Sequence, residues 1–283
     1  KANSFTVNGI IDTDISVYAH TNETWDVQST FGISVDTLKA DAFSGTLTVL
    51  GSRGTFGIYA SNASGGISSN VAGDAFDING DIISTLYGVV SYGKINLRVS
   101  GSITAGIAIG VESTYDERTG IYATSTPNNP DQVELAAGAV INGDIDLGGG
   151  DNTVIINSGA VMNGSLVAEL GSMNIMFMLD EKINPEAIVR TDVEDISLTS
   201  VNLNNAVNNS SYVLFQYEEG SDSTVTSCWM SREVRFVYQG EEYEVRMTGG
   251  RAECVFSNGV RGVLTYDQST RRVIATVSDM QAA

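Results

Sequence analysis

The pentapeptide Ile78-Asn79-Gly80-Asp81-Ile82 returns, lightly edited, as Val99-Ser100-Gly101-Ser102-Ile103, Ile141-Asn142-Gly143-Asp144-Ile145 and Met162-Asn163-Gly164-Ser165-Leu166. The glycines of these copies are spaced 21, 42 and 21 residues apart. A fixed period of that size marks one supersecondary unit stacked on itself, so the chain is expected to form a solenoid around a continuous core. Looser copies are Val7-Asn8-Gly9-Ile10-Ile11 and Phe43-Ser44-Gly45-Thr46-Leu47. Each coil needs corners, and glycine and asparagine tolerate the left-handed backbone that corners use. Gly80, Gly101, Gly143 and Gly164 are therefore assigned as turn glycines. The flanking Ile, Val and Met alternate with polar residues and should point inward. In Met173, Ile175, Phe177 and Leu179 that alternation runs through one whole strand.

A second phrase lies between copies of the first. It reads Phe56-Gly57-Ile58-Tyr59-Ala60 and Thr119-Gly120-Ile121-Tyr122-Ala123, with looser copies at 31–35, 87–91 and 105–109. Two strand types joined by turns of varying length fit a β-solenoid coil. The period skips one beat, because position 122 holds Tyr122 and the segment 112–133 has no copy of the first phrase. That segment is expected to leave the coil as a long loop. Its polar stretch 122–130 carries two of the chain's 3 prolines. Loops on a rigid scaffold often carry binding, so Tyr122, Thr124, Asn128 and Asn129 are the candidate contact residues.

Composition narrows the function. Net charge is −19, which repels phosphate backbones and anionic lipid and argues against nucleic-acid binding. At 42% apolar residues, 283 residues can bury a substantial core. No apolar run is long enough for a membrane helix, and the start Lys1-Ala2-Asn3-Ser4 lacks a secretory apolar region, so a processed segment of something larger is expected. Texture changes near residue 207: residues 1–207 carry 24 acidic and 8 basic side chains, residues 208–283 carry 10 and 7, and all seven of those bases are arginine. A boundary is placed there, with a parallel β-solenoid over 1–207 and a β-rich cap over 208–283. Short strands at 212–217, 224–230, 233–238, 243–247, 252–256, 260–266 and 272–277 read as an antiparallel meander. A meander would cover the solenoid's open strand edge.

No catalytic constellation stands out. The single histidine, His20, lies in a polar turn-like stretch. Lys94 and Arg98 should share a strand face, and a solvated face is the favoured reading. Asp12 and Asp14, and Asp74, Asp77 and Asp81, lack a histidine or lysine partner for acid–base work. The aspartates Asp144 and Asp146 flank Ile145 and should face water. Gly148-Gly149-Gly150-Asp151 resembles half of a Gly-rich calcium turn, but one copy supplies too few of the six to eight oxygens calcium needs. No cofactor is expected, with calcium near Asp151 the weaker alternative. Cys228 and Cys254 both fall in expected cap strands; they form a disulfide if those strands are neighbours in an oxidising compartment, and stay buried free thiols otherwise.

The alternation of an Asn-Gly-Asp-Ile strand with a Gly-Ile-Tyr-Ala strand resembles the passenger repeats of bacterial autotransporters and related secreted adhesins. The likeness covers about residues 1–180 and is densest over 141–160. It implies a right-handed parallel β-helix, export across the outer membrane to the cell surface or medium, and a non-enzymatic role in adhesion or surface display. Segment 208–283 is similar to the β-rich cap that ends such passengers. The implied partners are host or bacterial surface glycans or proteins, with self-association end to end or side by side. Two alternatives are a β-helix polysaccharide lyase or hydrolase and a self-assembling fibre or spike.

Overall fold

A computed structural model of the chain describes residues 31–51, 55–61, 65–111, 129–167, 171–180, 196–217 and 225–279 in full, and the backbone alone at 5–6, 10–12, 15–18, 30, 115–116, 121–122 and 222–224. The fold is all-β with large parallel sheets and, among the described residues, one short helix.

In the larger sheet nine strands lie side by side and parallel. In order they are Phe5–Thr6, Thr37–Lys39, Gly66–Ser68, Lys94–Val99, Gln132–Leu135, Gly150–Asn157, Gly171–Asp180, Ile196–Asn205 and Glu233–Tyr238. A side branch of Ile10–Asp12, Ala42–Ser44 and Phe76–Ile78 joins the far half of Lys94–Val99. The second large sheet holds two parallel ladders that meet on the long strand Ser102–Val111. One runs through Ile15–Tyr18, Thr46–Leu50 and Asp81–Ser84, the other through Thr30–Val35, Thr55–Ala60 and Tyr87–Ser91. Val140–Asp146 lies on Ser102–Val111, and Val161–Asn163 and Leu166–Val167 lie on Val140–Asp146.

The period read from the sequence is the offset between paired strands. Asp77 pairs with Arg98, Asp81 with Ser102, Val140 with Val161 and Thr153 with Asn174, each 21 residues apart. Elsewhere turns stretch the offset, to 25 residues from Phe31 to Phe56 and 38 from Ile103 to Ile141. What is held constant is the register, because parallel pairing puts like on like: Ile103, Ile141 and Met162 stack in one column, and Leu97, Val133, Val154 and Ile175 in another. All of these side chains are buried. Each stabilises the fold by roughly 1.5–3 kcal/mol over an exposed position. The strand Gly171–Asp180 alternates throughout, with Met173, Ile175, Phe177 and Leu179 inward and Asn174 and Asp180 outward.

Of the glycines assigned to turns, Gly80, Gly101 and Gly164 lie between strands, whereas Gly143 lies within Val140–Asp146, and the reason for glycine differs from the one expected. Gly143 does have positive φ (136°), whereas Gly80, Gly101 and Gly164 do not. Their constraint is space. A Cβ on Gly80 would strike the carbonyl oxygen of Gly45, one on Gly101 that of Gly80, and one on Gly164 that of Gly143. The rungs close on each other there through Asp81 N–H to Gly45 O (2.8 Å) and Ser102 N–H to Gly80 O (2.9 Å). The second phrase repeats the device: a Cβ on Gly57 would lie 2.6 Å from Gly88 O, and one on Gly88 2.5 Å from Ala108 O.

The C-terminal part departs from a simple meander. Glu233–Tyr238 adds a ninth parallel rung to the large sheet and then turns through Gln239 (φ 50°) and Gly240 (φ 84°) into the antiparallel strand Glu241–Arg246, so that sheet is mixed. Both positive-φ residues suit a tight hairpin. The last strand carries Glu241, Glu242, Glu244 and Arg246, and such charges discourage further edge pairing. The other strands form an antiparallel sheet in the order Ser210–Gln216, Arg272–Ser278, Arg261–Asp267 and Arg251–Val255. It packs on the end of the large sheet: Phe215 meets Phe177 edge-on at 5.1 Å, and Gly262 faces Leu203 and Phe236. The strand expected at 224–230 is instead the helix Asp222–Trp229. Its β-branched residues favour a strand, but Val225 and Trp229 are four apart and both buried, and that burial overrides weak propensity.

Candidate functional site

The repeated phrases bring polar side chains of paired strands into columns. Asn163 Nδ2 donates to Asn142 Oδ1 (2.9 Å), and Asn142 Nδ2 to Thr104 Oγ1 (3.2 Å). Ser102 Oγ donates to Asp81 Oδ1 (2.5 Å), and Ser165 N–H to Asp144 Oδ1 (2.8 Å). On the adjoining sheet Ser100 Oγ donates to Asp77 Oδ1 (2.8 Å). Lys94 and Arg98 do share an outward face. Arg98 is tied to Asp77 (2.8 Å) and Glu134 (3.7 Å), which places alternating charge down three rungs. Each large sheet thus presents a face of amide, hydroxyl or carboxylate groups at strand spacing, about 4.8 Å. Such a face can hydrogen-bond a long polar ligand at many points.

A second column is aromatic. Phe31, Phe56 and Tyr87 stack in register with ring centroids 5.0 and 4.8 Å apart and planes within 18° and 10°, and Tyr59 leans on Phe31 and Phe56. Stacked rings hide their faces in one another and show edges outward, so this column serves rung cohesion better than stacking on a sugar. It was legible as the aromatic residue before Gly32, Gly57 and Gly88 in three of the five copies of the second phrase.

The expected contact loop is only partly in view. Tyr122 belongs to a two-residue strand, Ile121–Tyr122, paired antiparallel with Tyr115–Asp116, so the segment has local structure of its own. Thr124, Asn128 and His20 lie outside the described residues. Asn129 is half-buried, and its Nδ2 has no hydrogen-bond partner among the described residues. Asp151 is exposed, accepts Ser172 Oγ (2.8 Å) and sits on a strand. No cluster of three metal-ligating side chains occurs among the described residues. Asp74, Asp77 and Asp81 do not converge on one point: Asp77 engages Arg98 and Ser100, and Asp81 engages Ser102. Of Asp12 only the backbone is described, and Asp14 lies outside the described residues.

No protein-family model, curated protein or solved structure matches the chain.

Sequence reasoning missed two polar features of the interior. The first is Asp131, buried beside Ile95, with its carboxyl pushed up to about 7 by burial against a hydrogen bond from Ile95 N–H and the charge of Lys94. The second is a cluster under the C-terminal sheet. Trp229 Nε1 donates to Tyr217 Oη (2.8 Å), Arg232 lies 4.9 Å over the Trp229 ring, and Arg232 Nη2 donates to Cys228 Sγ (2.7 Å). Burial raises the Tyr217 hydroxyl well above the usual phenol range, so it stays protonated at any working pH.

Of the two alternatives for Cys228 and Cys254, the structure has no disulfide between them. The premise of neighbouring strands fails, because Cys228 is on the helix and Cys254 on the strand Arg251–Val255. Burial pushes the Cys254 thiol up to about 11, so little thiolate exists near neutrality. We expect intact mass to be unchanged by reductant, and Cys254 to react with iodoacetamide at pH 8 at least tenfold more slowly in the native protein than in urea. A 2 Da gain on reduction would contradict this account.

Proposed function

We propose that the chain is a non-enzymatic β-helical passenger segment, exported across the outer membrane of a bacterium, that adheres to surface glycan or protein through its outward faces. In this reading the two large sheets are faces of one right-handed coil, and the helix with the antiparallel sheet caps its end. The supporting pattern is that successive stretches of chain give a strand to each sheet in turn. Lys94–Val99 joins one and Ser102–Val111 the other, and Gly150–Asn157 and Val161–Asn163 do the same a few rungs on. A coil of this kind leaves unpaired edges only at its ends. The observation that carries the adhesive role is the polar column of Thr104, Asn142 and Asn163 beside Asp81 and Ser102, which repeats one chemistry along the stack.

The test displays the chain on bacteria and measures retention on arrays of surface glycans and matrix proteins, beside a reducing-end assay on polyuronates. We expect retention on at least one surface, reduced several-fold by the double substitution Asn142→Ala and Asn163→Ala, and no new reducing ends. Reducing-end release, or no retention on any array, would overturn the proposal.

A further inference from the structure

Asp131 heads Gln132–Leu135, the first strand of the large sheet after the break in the repeat, and three of its polar groups tie it to neighbouring strands. Its carbonyl oxygen accepts Thr153 N–H (2.8 Å) and its own N–H donates to Asn152 Oδ1 (3.1 Å). Its Oδ1 accepts Ile95 N–H from the strand on the other side (2.7 Å). Asn152 is itself fixed, with Nδ2 donating to Leu147 O (3.3 Å) and Gly149 O (3.4 Å). The residue is 1% exposed, and its Oδ2 is buried without a hydrogen-bond partner among the described residues. A carboxylate in that position has half its charge unsolvated, whereas a neutral carboxyl keeps the Ile95 contact and loses the cost.

We propose that Asp131 is a proton-operated latch that fastens the start of strand Gln132–Leu135 between its two neighbours when neutral and loosens it when ionised. The surroundings fit such a role. From the preceding strand comes Lys94, which favours the ion; Arg98 on that strand is engaged by Asp77 and Glu134. From the following strand come neutral Asn152 and exposed Asp151, which accepts Ser172. Glu134, on Gln132–Leu135 itself, accepts from Asn157. The sign follows from proton linkage. Between the ordinary 3.8 of an aspartate and about 7, the folded chain holds a proton that the unfolded chain has released. Stability is then full below that window, falls as pH rises through it and levels off above it. This inference does not depend on the adhesive reading.

The experiment compares wild type with Asp131→Asn, which keeps an oxygen for Ile95 N–H and cannot ionise. Melting is followed at pH 5 and pH 8, with amide exchange at Ile95, Gln132 and Thr153 corrected for intrinsic rate. The wild-type melting temperature should fall by about 5–10 °C more than that of the variant between the two pH values, for a chain of this size. Protection at those three amides should drop at least tenfold in wild type alone. A second variant, Lys94→Gln, removes the charge that favours the ion and should move the wild-type transition to higher pH. Equal pH dependence of wild type and Asp131→Asn in both melting and exchange would overturn the proposal. So would a transition unmoved by Lys94→Gln.

Discussion

Ile145→Asp removes the cooperative thermal transition or lowers its midpoint by more than about 10 °C. Ile145 is fully buried between Ile109 on one side and Leu166 on the other, in register with both. The substitution loses the burial of a large aliphatic side chain and places a carboxylate among aliphatic neighbours. An unpaired buried charge alone costs several kcal/mol, a large part of the roughly 5–15 kcal/mol that holds a domain folded. Val161→Asp is the control, since Val161 is 37% exposed and its carboxylate would reach water. Circular dichroism melting should show the control within about 1 kcal/mol of wild type. If Ile145→Asp melts as late as the control, the column Ile109, Ile145 and Leu166 is not interior.

The second large effect comes from adding one carbon. Gly101→Ala puts a Cβ against the carbonyl oxygen of Gly80, which is backbone and cannot rotate away. That same carbonyl accepts Ser102 N–H at 2.9 Å, so separating the rungs breaks the ladder beside the corner. Overpacking of this kind typically costs 1–3 kcal/mol, and with the lost ladder bond about 3 kcal/mol is expected. Gly138→Ala separates sterics from backbone conformation. Gly138 has φ +87° with open space around its would-be Cβ, so only the left-handed penalty of about 1–2 kcal/mol applies. Urea titration should rank Gly101→Ala below Gly138→Ala in stability. The reverse order would mean that conformation, not closeness of the rungs, selects the glycines of the repeat.

Much of the architecture was legible because parallel pairing copies itself into the sequence. When Asp81 lies on Ser102 and Ile82 on Ile103, the same burial acts on the same phrase at each rung, and a period appears. The inward set of Gly171–Asp180 followed from alternation alone. Other features left no such trace. The helix Asp222–Trp229 occurs once, and its two anchors, Val225 and Trp229, look like any apolar pair. The parallel pairing of Glu233–Tyr238 with Ile196–Asn205 depends on which edge is free in space, and alternation reads the same for either direction. Asp131 in sequence is one aspartate after a proline; its character comes from Ile95 and Asn152, 36 and 21 residues away. The outer polar columns were visible only as Asn, Ser and Asp in turns, because hydrogen bonds such as Asn163 to Asn142 require knowing that corners stack.

The central claim, parallel rungs in a fixed register, is tested most directly by cross-linking across a rung. In a background with Cys228→Ser and Cys254→Ala, cysteines replace Gln132 and Thr153, which face outward and oppose each other in adjacent parallel strands. Their Cα atoms lie about 4.8 Å apart, within disulfide range. A second pair, at Glu134 and Thr153, is displaced by two residues and separated by roughly 8 Å, beyond that range. Mild oxidation should close the first pair within the folded monomer and leave the second open. Equal closure of both pairs, or closure of the second alone, would contradict the register and with it the stacked-rung fold.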